Sequence, residues 1–189
     1  MRRALILAAL LASPALAQET ASREAGLAAW ESIAAAASHP RCANCHVEGD
    51  QPMWSGPSYG TTRPHGMNVY AGESRIGAEY LSCGTCHAYR EEGANDAPHM
   101  APQVADTWIL PPPEMAWFGR SSAEICVQLS NPDLNGGRDV EALAEHVQES
   151  AFVNWGFNPG GGREPAPGSP EEMAELLRQW GAAGMPCPG

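Results

Sequence analysis

A chain of 189 residues has room for one domain, or at most two small ones. Acidic residues number 22 against 11 basic, for a formal charge of −11, and every basic residue is Arg with no basic run. That makes it a poor candidate for binding nucleic acid or anionic lipid. With 7% aromatics, 20 Gly and 17 Pro, the composition also predicts a thin side-chain core, so something else should help hold the fold together.

Residues 1–17 read as a secretory signal. Met1-Arg2-Arg3 is positive, residues 4–11 are apolar, and Ser13-Pro14-Ala15-Leu16-Ala17 ends in an Ala-x-Ala cleavage pattern. The apolar stretch is short of the roughly 20 residues that span a bilayer. Cleavage after Ala17 leaves 18–189 as a single domain with nine Arg against 22 acids, a formal −13. The expected product is an exported, periplasmic protein in an oxidising compartment, with no stable membrane insertion.

The mature chain reads as mostly α with long irregular loops and no convincing strand. Residues 20–38 form an Ala-rich helix with Leu27, Trp30, Ile33 and Ala34 on one face, stopped by His39-Pro40. Residues 41–75 show neither helical nor strand period, 76–88 have room for one or two helical turns, and 91–114 are irregular again. Ser121-Ser122-Ala123-Glu124 is a capping box that opens a helix to about Ser130. Residues 139–150 carry Val140, Leu143, Ala144 and Val147 at helical spacing. Ser169-Pro170-Glu171-Glu172 starts a last helix with Met173, Leu176, Leu177 and Trp180, ended by Gly181 or Gly184.

Two motifs carry the chemistry. Cys42-Ala43-Asn44-Cys45-His46 and Cys83-Gly84-Thr85-Cys86-His87 are both C-x-x-C-H, the attachment sequence of c-type haem. Two thiols at this spacing form thioethers to the two vinyl groups of one haem, and the next residue, His46 or His87, lies under the iron as proximal ligand. Export agrees, because covalent haem attachment occurs outside the bacterial cytoplasm. A zinc site leaves both histidines unexplained, and 37 residues between the pairs exceeds the usual ribbon spacing. A thioredoxin-like pair needs a βαβ context, and cross-pairing disulfides remain the plain alternative. Two covalently bound haem c groups, as large apolar plates, also answer the thin core, and the chain without them is expected to be largely unfolded.

Among distal ligands, His65 ranks first: it lies in the loop Pro64-His65-Gly66-Met67, 18 residues before Cys83. A small dihaem subunit of periplasmic nitrate reductase resembles this in spacing alone. His39, three residues before Cys42, ranks second, against a role in helix capping. Met115 and Met67 follow as sulfur ligands, then His99 and Met100, and His146 reads as exposed or core. Ligand choice matters because Met/His ligation raises the potential over His/His. Arg41, Arg63 and Arg75 flank the motifs as candidates to pair with haem propionates. Cys126 and Cys187 are left over and are expected to form a disulfide.

Several stretches resemble a group of bacterial exported dihaem cytochromes c, often labelled as isoquinoline 1-oxidoreductase subunit. They are His39-Pro40-Arg41 with the first motif, His65-Gly66-Met67-Asn68-Val69, the second motif, Met115-Ala116-Trp117-Phe118-Gly119-Arg120-Ser121, Glu124-Ile125-Cys126, Asn135-Gly136-Gly137-Arg138, and Gly162-Arg163-Glu164-Pro165-Ala166-Pro167-Gly168. The resemblance implies a small dihaem fold that accepts electrons from a molybdenum hydroxylase-type dehydrogenase. The chain has no Fe–S or molybdopterin motif of its own, so that label describes a partner. The expected function is single-electron transfer between a dehydrogenase and a respiratory carrier, rather than enzymatic turnover, with redox partners that present a basic docking patch. The alternatives are a small haem enzyme of the peroxidase or nitrogen-oxide reductase type, or a haem-based sensor, each needing an open distal site.

Overall fold

The computed structural model describes residues 21–89, 97 and 100–189; the proposed signal segment and His99 lie outside the described residues. Helix α1 (Arg23–Ala37) starts where the Ser22 side chain accepts from the Ala25 N–H. It stops because His39 precedes Pro40, and a new short helix, α2 (Pro40–Ala43), begins at that proline. A short helix α3 (Gly84–His87) carries the second motif. Helix α4 (Ser122–Ser130) opens with the capping box of Ser121 and Glu124. Helix α5 (Val140–Glu149) runs directly into α6 (Ala151–Phe157), with Ser150 closing one and capping the other. Helix α7 (Pro170–Ala182) is capped by Ser169, and the chain turns away at Gly184, whose φ of 78° suits glycine.

The fold is mostly helical, as expected, with two departures. Residues 53–64 hold a small antiparallel ribbon, β1 (Met53–Trp54) with β2 (Arg63–Pro64), pairing Met53 with Pro64 and Trp54 with Arg63. A ribbon of two residues per strand is too short to show a period in sequence. Helix α6 is likewise absent from the sequence reading: Ser150 serves as a helix end and a helix start at once, which blurs both signals.

The core is less thin than the composition implied, and it sits away from the motifs. Helices α1, α4, α5 and α7 pack around Trp30, Ile33, Ile125, Leu129, Leu143, Leu177 and Trp180. Trp30 and Trp180 have their ring centroids 5.1 Å apart, and each buried indole N–H finds an acceptor, Ser122 Oγ at 2.8 Å and the Pro186 carbonyl at 3.0 Å. Gly181 is required where α7 crosses α5, since a Cβ there would stand 2.6 Å from Val140 Cγ1. Around the motifs the buried apolar cluster is small, made of Val47, Ala71 and Leu110. Two large indoles and an Ala-rich seam thus give the helical half a core of its own. The loop-rich half has the smaller core of the two.

Cys126 and Cys187 form the expected disulfide, Cα–Cα 5.6 Å, closing 61 residues and tying α4 to the C-terminus. No helix among the described residues is long and apolar enough to cross a membrane. Replacing both cysteines by Ser is expected to cost about 3–5 kcal/mol, read as a lower urea midpoint.

Candidate functional site

The first motif occupies α2 and the turn after it. His46 is held at both ends of its residue. Its carbonyl accepts from the N–H groups of Trp117 (2.8 Å) and Phe118 (2.9 Å), and its Nδ1–H donates to the Met115 carbonyl at 2.8 Å. The Trp117 ring stacks on the imidazole with centroids 3.6 Å apart and planes 1° apart. Trp117 is itself fixed by its indole N–H on Gln128 Oε1, 2.5 Å away on α4. Burial, chiefly, pulls the His46 pKa down to about 4, with the Met115 bond opposing and nearby His146 adding to the effect. The ring is therefore neutral at pH 7, with Nδ1 carrying the proton and the Nε2 lone pair left over.

The second motif repeats this arrangement. His87 ends α3, its Nδ1–H donates to the Pro102 carbonyl at 2.8 Å, and Trp108 stacks on it with centroids 4.0 Å apart and planes at 24°. Burial also lowers its pKa, against the Pro102 bond, and His65 contributes in the same direction as burial. Phe152 and Trp155 of α6 back Trp108 edge-on at 4.9 and 6.4 Å.

His65 faces His87. The ribbon places it: the His65 N–H donates to the Pro52 carbonyl at 2.8 Å, and Trp54 lies against its ring at 4.8 Å. Gly66 is required here because a Cβ would stand 2.5 Å from Trp54 Cη2. The His65 Nδ1–H donates to the Gly66 carbonyl at 2.9 Å, which again leaves Nε2 with its lone pair. The centroids of the His65 and His87 rings are 6.2 Å apart. With metal–imidazole bonds of about 2 Å and a ring radius of about 1.1 Å, two histidines on opposite sides of one iron have centroids about 6.2–6.4 Å apart. The 56° between their planes is no obstacle, since both planes need only contain the common axis.

The other candidates are placed differently. His39 caps α2, its Nδ1 accepting from the Arg41 N–H at 3.2 Å. That bond requires the Nε2–H tautomer, which has no lone pair at Nε2 for iron. Met115 stands behind His46, where its carbonyl holds Nδ1, and its methyl lies against Gly136. Met67 is 76% exposed beside His65. Met100 is half-buried, with its carbonyl accepting from Arg163 at 2.6 Å. Sequence reasoning missed Trp108 and Trp117, since no periodicity marks a residue that stacks on a loop histidine.

The donor set fits haem. Cys42, Cys45, Cys83 and Cys86 are all free thiols. Burial, chiefly, pushes Cys42 up to about 12 and Cys45 up to about 11, so both stay protonated. Among the described residues no group of three or more His, Cys, Asp or Glu is arranged to hold a metal ion by itself, so the two cysteine pairs do not converge on a zinc-type cluster. Met67, Tyr80, Leu81, Tyr89 and Ile109 are large, apolar or aromatic, exposed, and all within 22 residues of the second motif in sequence. An apolar plate on His87 is what would give such a collection cover.

The three flanking arginines serve the loops. Arg75, only 9% exposed and with φ of 62°, donates to the Pro111 carbonyl through Nε (3.0 Å) and Nη2 (2.6 Å) and to the Gly49 carbonyl through Nη1 (2.8 Å). Arg63 donates to the carbonyls of Tyr59 and Thr61, and Arg41 to that of Glu164. The expectation of Arg75 on a propionate is thereby corrected: its fork is spent on backbone that has no ladder of its own.

No family model matches this chain, and neither does any curated protein or solved structure. Arg75→Ala leaves the Pro111 and Gly49 carbonyls without their cationic donor and is expected to destabilise the fold by about 1–3 kcal/mol, measured by urea denaturation, with Arg75→Lys recovering only part because it lacks the fork.

Proposed function

We propose that this chain is an exported dihaem c-type cytochrome of the periplasm that passes single electrons between a dehydrogenase and a respiratory carrier. The observation that carries the reading is the opposition of His65 and His87 at 6.2 Å, next to a C-x-x-C-H motif whose histidine has Nδ1 anchored and Nε2 left to bind. In this reading Cys42 and Cys45 hold one haem with His46 as proximal ligand, and Cys83 and Cys86 hold the other with His87 proximal and His65 distal. Each haem iron, when bound, supplies a one-electron Fe(III)/Fe(II) couple. The chain's own residues do the rest: the Met115 and Pro102 carbonyls keep each proximal histidine in its binding tautomer, and Trp117 and Trp108 keep its plane.

Two protein ligands on the second iron favour electron transfer over turnover there, because a small substrate finds no open position. Ligation by two histidines also sets a lower potential than His/Met ligation. Proximity of the motifs supports transfer between haems: burial aside, Cys83 is close enough to Cys45 to raise its pKa further. Glu141, Glu145 and Glu149 of α5 and Glu171, Glu172 and Glu175 of α7 are all exposed, so the surface offered to a partner is acidic and a basic patch would complement it.

The purified protein is expected to keep two haems through denaturation and to show the second as low-spin. His65→Ala is expected to turn one of the two haems high-spin and CO-binding, as read by electron paramagnetic resonance and CO difference spectra. Retention of ligation at both haems in that variant removes the distal assignment. Reduction by its partner is expected to slow as ionic strength rises, and a salt-independent rate would argue against an electrostatic docking face.

A further inference from the structure

The indole nitrogen of Trp155 is buried and has no hydrogen-bond partner among the described residues. The indole nitrogens of Trp30, Trp117 and Trp180 each have an acceptor, and a buried donor left unpaired is costly. Directly over the Trp155 ring, 5.4 Å from its centroid, stands the guanidinium of Arg41. Arg41 uses Nε on the Glu164 carbonyl at 2.7 Å. Its two terminal nitrogens make no hydrogen bond among the described residues, and no carboxylate there lies within ion-pair distance of it. A neutral N–H and a forked cation thus lie at the same ring, and a carboxylate is a group that can accept from both.

The position indicates which carboxylate. Trp155 lies edge-on to Trp108, and Trp108 stacks on His87. Arg41 immediately precedes the first motif, and its attachment to Glu164 brings the 163–166 segment to the same place, where the Ala166 N–H closes on the Gly156 carbonyl of α6 at 2.9 Å. Three separate stretches of chain therefore meet behind Trp108, one ring removed from His87, and leave the Trp155 N–H and the Arg41 terminal nitrogens without an acceptor among the described residues. Resting on the dihaem reading, we propose that Trp155 Nε1–H and the Arg41 guanidinium bind a propionate carboxylate of the haem ligated by His87. The contact would offset the negative charge of that propionate near the iron, which favours the reduced state.

The test uses the haem-loaded, reduced protein with 15N-labelled tryptophan. Mass spectrometry of the denatured protein first counts covalent haems, which tests the dihaem reading by itself. The Trp155 indole resonance is identified by its loss in Trp155→Phe. It is expected to exchange slowly with solvent and to show nuclear Overhauser contacts to propionate methylene protons of the haem bonded to Cys83 and Cys86. Trp155→Phe and Arg41→Gln are each expected to lower the midpoint potential of that haem alone, with Arg41→Lys retaining part of the wild-type value. Two covalent haems with a fast-exchanging indole, or with contacts to the propionates of the other haem, overturn this inference and leave the dihaem reading standing. Absence of covalent haem overturns both. Should Trp155→Phe fail to fold, the Arg41 variants read the same potential.

Discussion

Two backbone carbonyls, those of Met115 and Pro102, are the constraint on which the rest of the arrangement depends. Each accepts the Nδ1 proton of a motif histidine at 2.8 Å. A carbonyl inside a helix is already taken by an N–H four residues on. These two come from proline-bearing segments outside the α-helices: Met115 ends the single 3-10 turn Pro113–Met115 that follows Pro111-Pro112, and Pro102 itself cannot continue a helix. The abundance of proline and loop is thus what makes acceptors available where a ring nitrogen needs one. The hydrogen bond sets the tautomer, and a stacked indole, Trp117 or Trp108, sets the plane. Together they hold Nε2 in one direction without a bound partner, which is the preorganisation a metal ligand needs.

The molecule divides its labour. Helices α1, α4, α5 and α7, with the disulfide, form a base whose packing involves no residue of either motif. From that base the loops are suspended by few but strong attachments. Trp117 reaches α4 through Gln128, whose other amide end donates to the Leu134 carbonyl. Arg120 pairs with Glu48 at 2.8 Å and Glu124 at 3.3 Å, linking the turn after the first motif to the start of α4, although exposed pairs of this kind contribute little to stability. The β-ribbon has one task, to bring His65 across from His87.

The use of charge follows the same division. Arginines near the motifs donate to loop carbonyls, where a planar fork replaces several missing backbone N–H groups at once. Buried carbonyls in irregular segments must find donors somewhere, and Arg75 alone satisfies Pro111 and Gly49. The acids of α5 and α7 are exposed, with Glu141 paired to Arg178 at 2.6 Å, and 22 acids against 11 arginines leave the chain with an excess of negative charge.

Local chemistry was readable from the amino-acid sequence: the caps of α4 and α7, the stop at His39-Pro40, the leftover cysteine pair, and the two C-x-x-C-H motifs all depend on residues within a few positions of one another, or on a count. The ranking of His65 first among distal candidates also came from spacing, and the ribbon and the 6.2 Å separation of the two rings then set it opposite His87. The tertiary structure alone decided what His39 does, since a cap at Nδ1 and a ligand at Nε2 need opposite tautomers and only the neighbouring N–H tells them apart. It alone revealed Trp108, Trp117 and Trp155, because contacts between an indole and a histidine 21 or 71 residues away leave no periodic trace. It also moved the core: composition averages over the whole chain and reported thinness, whereas packing concentrates the large side chains in the helices and leaves only the motif-bearing loops short of apolar cover.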